Sequence, residues 1–152
     1  MKIKHTSSAE ETEFLGYELG LLLKDEPKVV ILLDGPLGAG KTTLTKGIAK
    51  GLGITQIVNS PTFTIMKKYL SADRMKTLYH LDLYRLEHVG SDFDLEEYID
   101  GQGIIVVEWP FQVDEFLPFD YLLVKIEKIS DSKRQFTLKC QGTPCKKAVQ
   151  YI

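Results

Sequence analysis

Apolar positions recur along the chain with two different periods, interrupted by continuous runs, and each pattern predicts an element. In "SSAEETEFLGYELGLLLK" (7–24), Phe14, Leu15, Leu19, Leu22 and Leu23 recur at helical spacing and predict one buried helix face. Ser7 or Ser8 serves as its cap, with Glu10 or Glu11 three positions on to complete a capping box. Past Pro27, "KVVILLD" (28–34) is continuously apolar, the pattern of a strand buried on both faces. A glycine-rich loop follows, then "KTTLTKGIAKGLG" (41–53) as a helix that Gly51 and Gly53 end. "QIVNSPTFTIMKKYL" (56–70) reads as extended and is interrupted at Ser60-Pro61. In "KTLYHLDLYR" (76–85) the period is two: Thr77, Tyr79, Leu81 and Leu83 share one face, Leu78, His80 and Asp82 the other.

Ser91 caps a short helix, "DFDLEEYI", and "GIIVVEW" (103–109) is a second fully buried strand. "DYLLVKIEKI" and "RQFTLKC" alternate as two antiparallel strands joined by "SDSK". "TPCKKAVQYI" closes as a short helix, with Thr143 capping and Pro144 at its first position. The sum is one α/β domain over residues 1–152: a sheet of the P-loop NTPase kind, parallel at its core with an antiparallel extension, and helices on both faces.

Composition narrows the function by exclusion. The net charge is −2, so no overall positive field draws in nucleic acid, and any RNA is expected on a partner. The opening "MKIKHTSS" is polar, without a leader pattern, and the longest apolar run, "VVILL", is far too short to span a bilayer. A cytosolic protein is expected, with no membrane association. Cys140 and Cys145 have no neighbouring His or Cys to complete a zinc site and are expected as reduced thiols.

The chemistry is concentrated in "GPLGAGKT", where Gly35, Gly40, Lys41 and Thr42 stand in the spacing G-x-x-x-x-G-K-T between a strand and a helix. Glycines let the backbone wrap phosphates with its N–H groups turned inward, Lys41 brings a point charge to the outer phosphates, and the Thr42 hydroxyl can ligate Mg²⁺. A bound triphosphate also needs an acid to hold metal or orient water. Asp82 and Glu108 end apolar strands, at the sheet edge where α/β ligands sit. The two roles stay open between them at this point. Thr62, in the extended loop after the helix, is the candidate for sensing the outer phosphate. Trp109 follows Glu108 at once, and His80 shares the face of Asp82, where a structural histidine is expected.

A GTP switch is disfavoured, because the single asparagine, Asn59, is followed by Ser-Pro-Thr and an N-K-x-D motif is absent. Kinases of phosphorylated substrates need arginine forks and a lid. Only Arg74, Arg85 and Arg134 are present, with no lid-like insertion. A small-molecule kinase acting on an unphosphorylated acceptor is the second reading, and a pure interaction module the third. No arginine of this chain is expected to reach the loop as a finger, so a partner is expected to supply that charge.

In order along the chain, "LGAGKTTL", "SPTFT", "YHLDLYR", "LEEYI" and "VVEWP" resemble the TsaE family, formerly YjeE, over about residues 7–142. The resemblance implies an ATPase for threonylcarbamoyladenosine formation in tRNA. It implies work with two partners of the ASKHA fold (sugar-kinase/Hsp70-like), TsaB-like and TsaD-like, one of which performs the transfer while the ATPase drives or resets it. Matched residue by residue, Gly38, Ala39, Gly40, Lys41, Thr42 and Thr43 resemble the phosphate cradle, and Thr42 with Glu108 the Mg²⁺ set. Thr62 resembles the switch threonine, Asp82 a second acid, and Trp109 an aromatic beside the nucleotide. Thr6 to Ser8 and Arg134 are matched to adenine or phosphate contacts. Pro36 departs from the pattern, standing where the family often has an acid after the first glycine.

Overall fold

The computed structural model describes residues 1–60, 66–83, 102–108 and 118–152. Its elements are β1 (Lys2–Thr6), α1 (Ala9–Leu23), β2 (Lys28–Asp34), α2 (Lys41–Gly51), β3 (Met66–Leu70), β4 (Thr77–Asp82), β5 (Gly103–Glu108), β6 (Tyr121–Lys128), β7 (Arg134–Gln141) and α3 (Lys146–Tyr151). Among the described residues the strands form one sheet in the order β1-β7-β6-β2-β5-β4-β3. β6, β2, β5 and β4 run parallel, while β1, β7 and β3 are antiparallel to their neighbours. This is the expected parallel core with an antiparallel extension.

The apolar runs of β2 and β5 supply both sides of the sheet. Val29, Ile31, Leu33 and Val106 belong to a large core with α1, α2 and α3, whereas Val30, Leu32, Ile105 and Val107 join Leu81 and Leu83 on the other face. The three described helices therefore share one face, and the helix expected at 92–99 lies outside the described residues. β1 went unpredicted. Its alternation Lys2-Ile3-Lys4-His5 suits an edge strand whose charged side chains discourage further pairing.

The first helix differs from its predicted face. Leu15, Leu19 and Leu23 are in the core and Leu22 packs partly against it, but Phe14 is 59% exposed and stacks on Tyr17. Gly16 and Gly20 take the side turned to α2, where side chains have no room. A methyl on Gly16 would lie 2.2 Å from the Leu44 carbonyl oxygen, and one on Gly47 would lie 2.0 Å from that of Glu13. Ser8 is the cap: its Oγ accepts the Glu11 N–H at 3.1 Å, and the Glu11 carboxylate accepts the N–H of Ser7.

The cysteines correct the expectation of free thiols, for Cys140 and Cys145 form a disulfide. Gly142 turns the chain with φ of 92° between β7 and α3, which brings the two Cα atoms to 5.6 Å, within bridging range. The expectation rested on compartment and not on this local turn. The last helix also starts later than expected, at Lys146 after Cys145, so Pro144 precedes it.

Candidate functional site

Chain topology collects the site at one edge of the sheet. Leu33 of β2 is in register with Glu108 of β5, and Glu108 with Asp82 of β4, so both carboxylates stand level with the point where the glycine loop leaves β2. At the far side of the sheet, the β6–β7 turn delivers Arg134 to the same edge. Thr6 pairs in register with Arg134, which brings the cap of α1 beside the loop.

Two loop positions demand glycine. Gly38 has φ of 77° and Gly40, the cap of α2, has φ of 106°, both in the left-handed region. The loop closes on itself through the Ala39 N–H, which donates to the Pro36 carbonyl at 3.1 Å. Lys41 reaches back over it: Nζ donates to the carbonyls of Gly35 at 2.6 Å and Pro36 at 3.2 Å. Proline thus serves the loop by its carbonyl, and its missing N–H is not used there. Burial pushes the Lys41 pKa below its ordinary 10.5, while the carboxylates of Glu108, Asp82 and Asp34 act in the opposite direction.

Thr42 and Thr43 open α2 and are partly exposed; Asp82 and Glu108 are buried. Glu108 Oε1 lies 3.2 Å from His80 Nε2. Beyond the loop is a cleft of about 280 Å³ bordered by Ser8, Thr12, Gly38, Gly40, Thr43 and Arg134. Thr12 is fixed there by its hydroxyl, 2.7 Å from that of Thr6.

Arg134 corrects the expectation that no arginine reaches the loop. Its Nε donates to the Ala39 carbonyl at 3.1 Å and NH2 to that of Gly38 at 3.3 Å. NH1 donates to the carbonyls of Ser130, Asp131 and Lys133, so the guanidinium ties the β6–β7 turn to the loop. Sequence distance concealed this contact.

The structure therefore brings together Gly35, Gly38, Ala39, Gly40, Lys41, Thr42, Thr43, Asp82, Glu108 and Arg134. Thr62 and Trp109 lie outside the described residues. Thr12 was not singled out from sequence, although it lies one turn past the cap on the helix side that Thr6 meets. The acceptors and donors suit a magnesium–triphosphate: left-handed glycines at a helix start, an ammonium, a hydroxyl and buried carboxylates. Among the described residues no three His, Cys, Asp or Glu side chains converge as a self-sufficient metal centre. A divalent ion would thus depend on Thr42, one carboxylate, and oxygens of phosphate and water.

This set of loop, ammonium and strand-end carboxylates agrees with comparison to known proteins. The family described as "Threonylcarbamoyl adenosine biosynthesis protein TsaE" matches residues 6–136. The chain belongs to the TsaE family. It is 46% identical over 137 residues to the tRNA threonylcarbamoyladenosine biosynthesis protein TsaE of Bacillus subtilis, covering 90% of this chain and 84% of that one. The protein of the same name from Aquifex aeolicus is 43% identical over 130 residues, covering 84% and 88%. The crystal structure of YdiB from Bacillus subtilis superposes with a TM-score of 0.76 at 39% identity, over 93% of this chain and 86% of that one.

Proposed function

We propose that this TsaE-family chain serves tRNA threonylcarbamoyladenosine biosynthesis as the subunit that binds and hydrolyses ATP with Mg²⁺. The observation that carries the ATPase reading is the setting of Lys41. It stands at the start of α2 beside the cleft, under the influence of Glu108, Asp82 and Asp34. A cation so desolvated and so surrounded by acids is poised to exchange carbonyl partners for phosphate oxygens.

In this reading the loop N–H groups and Lys41 hold the phosphates, and the cleft between α1 and the β6–β7 turn takes the base. Thr42 and Glu108 hold Mg²⁺, which when bound neutralises charge on the outer phosphates. Asp82 orients water, and Thr62 and Trp109 complete the site from the segments that follow the loop helix and β5. Arg134 spends its donors on five carbonyls, which supports the view that a partner supplies the further positive charge for hydrolysis. TsaB-like and TsaD-like proteins of the ASKHA fold are the proposed partners, with tRNA held through them, as the net charge of −2 favours. The work is placed in the cytosol, where tRNA is; no described helix is long and apolar enough to cross a membrane.

ATP hydrolysis by the purified chain, alone and with the two partners, tests the proposal. Low activity that rises with partners and is lost in Lys41→Ala and Glu108→Ala is expected. High activity alone, indifferent to partners, would overturn it.

A further inference from the structure

His80 sits where packing alone would place an apolar side chain. It lies on β4 between Leu78 and Asp82, on the face covered by α1 and α2, and its register neighbour on β5 is Val106. Leu78 and Val106 are both core residues. The imidazole is 0% exposed, and its Nδ1 has no hydrogen-bond partner among the described residues. A buried, unpartnered ring nitrogen costs free energy that a leucine would not. What the position gains is one contact: Nε2 lies 3.2 Å from Oε1 of Glu108, which is itself 3% exposed. A carboxylate can only accept, so toward ionised Glu108 the hydrogen lies on Nε2 and His80 donates. Among the described residues no group bonds Oε2 of Glu108.

From this geometry we infer that His80 is a positioning residue for Glu108. By engaging Oε1 within the core, it fixes the carboxylate plane and leaves Oε2 for the magnesium–triphosphate. His80 touches neither ligand and acts only through Glu108. The inference rests on the nucleotide reading above. Without the donor, the carboxylate turns about its terminal bond and presents either oxygen, so the magnesium-dependent part of nucleotide binding and the hydrolytic step both weaken. Outer hydrogen bonds to ligating carboxylates commonly contribute about 10–100-fold in affinity or activity.

Three variants separate positioning from packing. His80→Leu fills the core without a donor, His80→Gln can return an N–H near the place of Nε2, and Glu108→Gln removes the anionic partner. Binding of a fluorescent ATP analogue is titrated with Mg²⁺, hydrolysis is followed with partners present, and thermal melting confirms each fold. We expect His80→Leu to raise the Mg²⁺ half-saturation about tenfold or more and to lower kcat similarly, with KM for ATP within about twofold. His80→Gln should recover most of both. In the Glu108→Gln background, His80→Leu should add nothing further, because its effect passes through that carboxylate. Additive losses, a Gln variant as impaired as Leu, or a Leu variant equal to wild type would each overturn the inference. Failure of the nucleotide reading itself would show differently, as wild type and Lys41→Ala binding the analogue alike, and the positioning role would fall with it.

Discussion

Lys41 Nζ donates to the carbonyl of Gly35 at 2.6 Å, so the ammonium at the end of the loop is held by the residue that begins it. The bond preorganises the loop, because the chain between the two is closed before any phosphate arrives. It also sets a cost, since a ligand must draw that ammonium away from Gly35 and Pro36. Lys41→Met keeps the length and apolar stem of the side chain and removes the charge. Hydrogen bonds to charged groups contribute about 1.5–3 kcal/mol, so ATP affinity should fall at least tenfold by calorimetry. An affinity within twofold of wild type would show that the loop binds phosphate through its backbone alone.

The depressed pKa of Lys41 has two consequences of opposite sign. Between its folded value and the ordinary 10.5, the unfolded chain binds more protons than the folded one, so folding stability rises with pH across that window. The burial penalty is complete at neutral pH and is relieved as pH climbs through the folded value. Nucleotide affinity moves the other way, because phosphate needs the ammonium form. Urea unfolding of wild type and Lys41→Met between pH 8 and about 10.5 should show an upward trend in the first that the second lacks. ATP affinity of wild type should decline over the same range.

Helices α1 and α2 meet backbone to backbone, which makes their glycines sensitive out of proportion to their size. A β-carbon at Gly47 would lie 2.0 Å from the Glu13 carbonyl oxygen. Alanine gains about 1 kcal/mol of helix propensity over glycine. The overlap outweighs this, and Gly47→Ala should lose about 2–3 kcal/mol in a urea melt. A stabilised Gly47→Ala would mean that the helices separate readily.

Arg134 joins the β6–β7 turn to the loop through both edges of its guanidinium. Arg134→Ala should weaken ATP binding about tenfold, the equivalent of one hydrogen bond of about 1.4 kcal/mol. Arg134→Lys should recover little, since one ammonium does not reproduce a planar fork that serves Ala39 and Gly38 on one side and Ser130 on the other. Full recovery by lysine would reduce the role of Arg134 to charge alone.

The parts of the molecule that sequence made legible are those governed by local rules. The run from Lys28 to Asp34, the glycine spacing and the helix from Lys41 announce strand, loop and helix, because burial, left-handed backbone and helix start each demand particular residue types. Asp82 and Glu108 were findable because an acid at the end of an apolar strand is conspicuous. What stayed hidden depends on pairing across the sheet. Nothing near Arg134 in the chain says that it reaches Ala39, because that contact follows from β1, β7 and β6 aligning their ends. Phe14 was assigned to the core on periodicity, yet Gly16 and Gly20 carry the close face, where the absence of side chains is the signal. The Cys140–Cys145 bridge likewise depends on the turn at Gly142.

The close seating of α1 on α2 also decides how the cleft can change width. One wall is α1, whose Thr12 stands beside Gly40, and it is set against the loop helix by main chain on main chain. The opposite wall is the β6–β7 turn, held to the loop by hydrogen bonds from a single side chain. Interlocked backbones yield only in concert, whereas those hydrogen bonds can break and re-form individually. The cleft is therefore asymmetric in compliance: one jaw is fixed, the other hinged, and an occupant of different girth is accommodated on the side of Arg134.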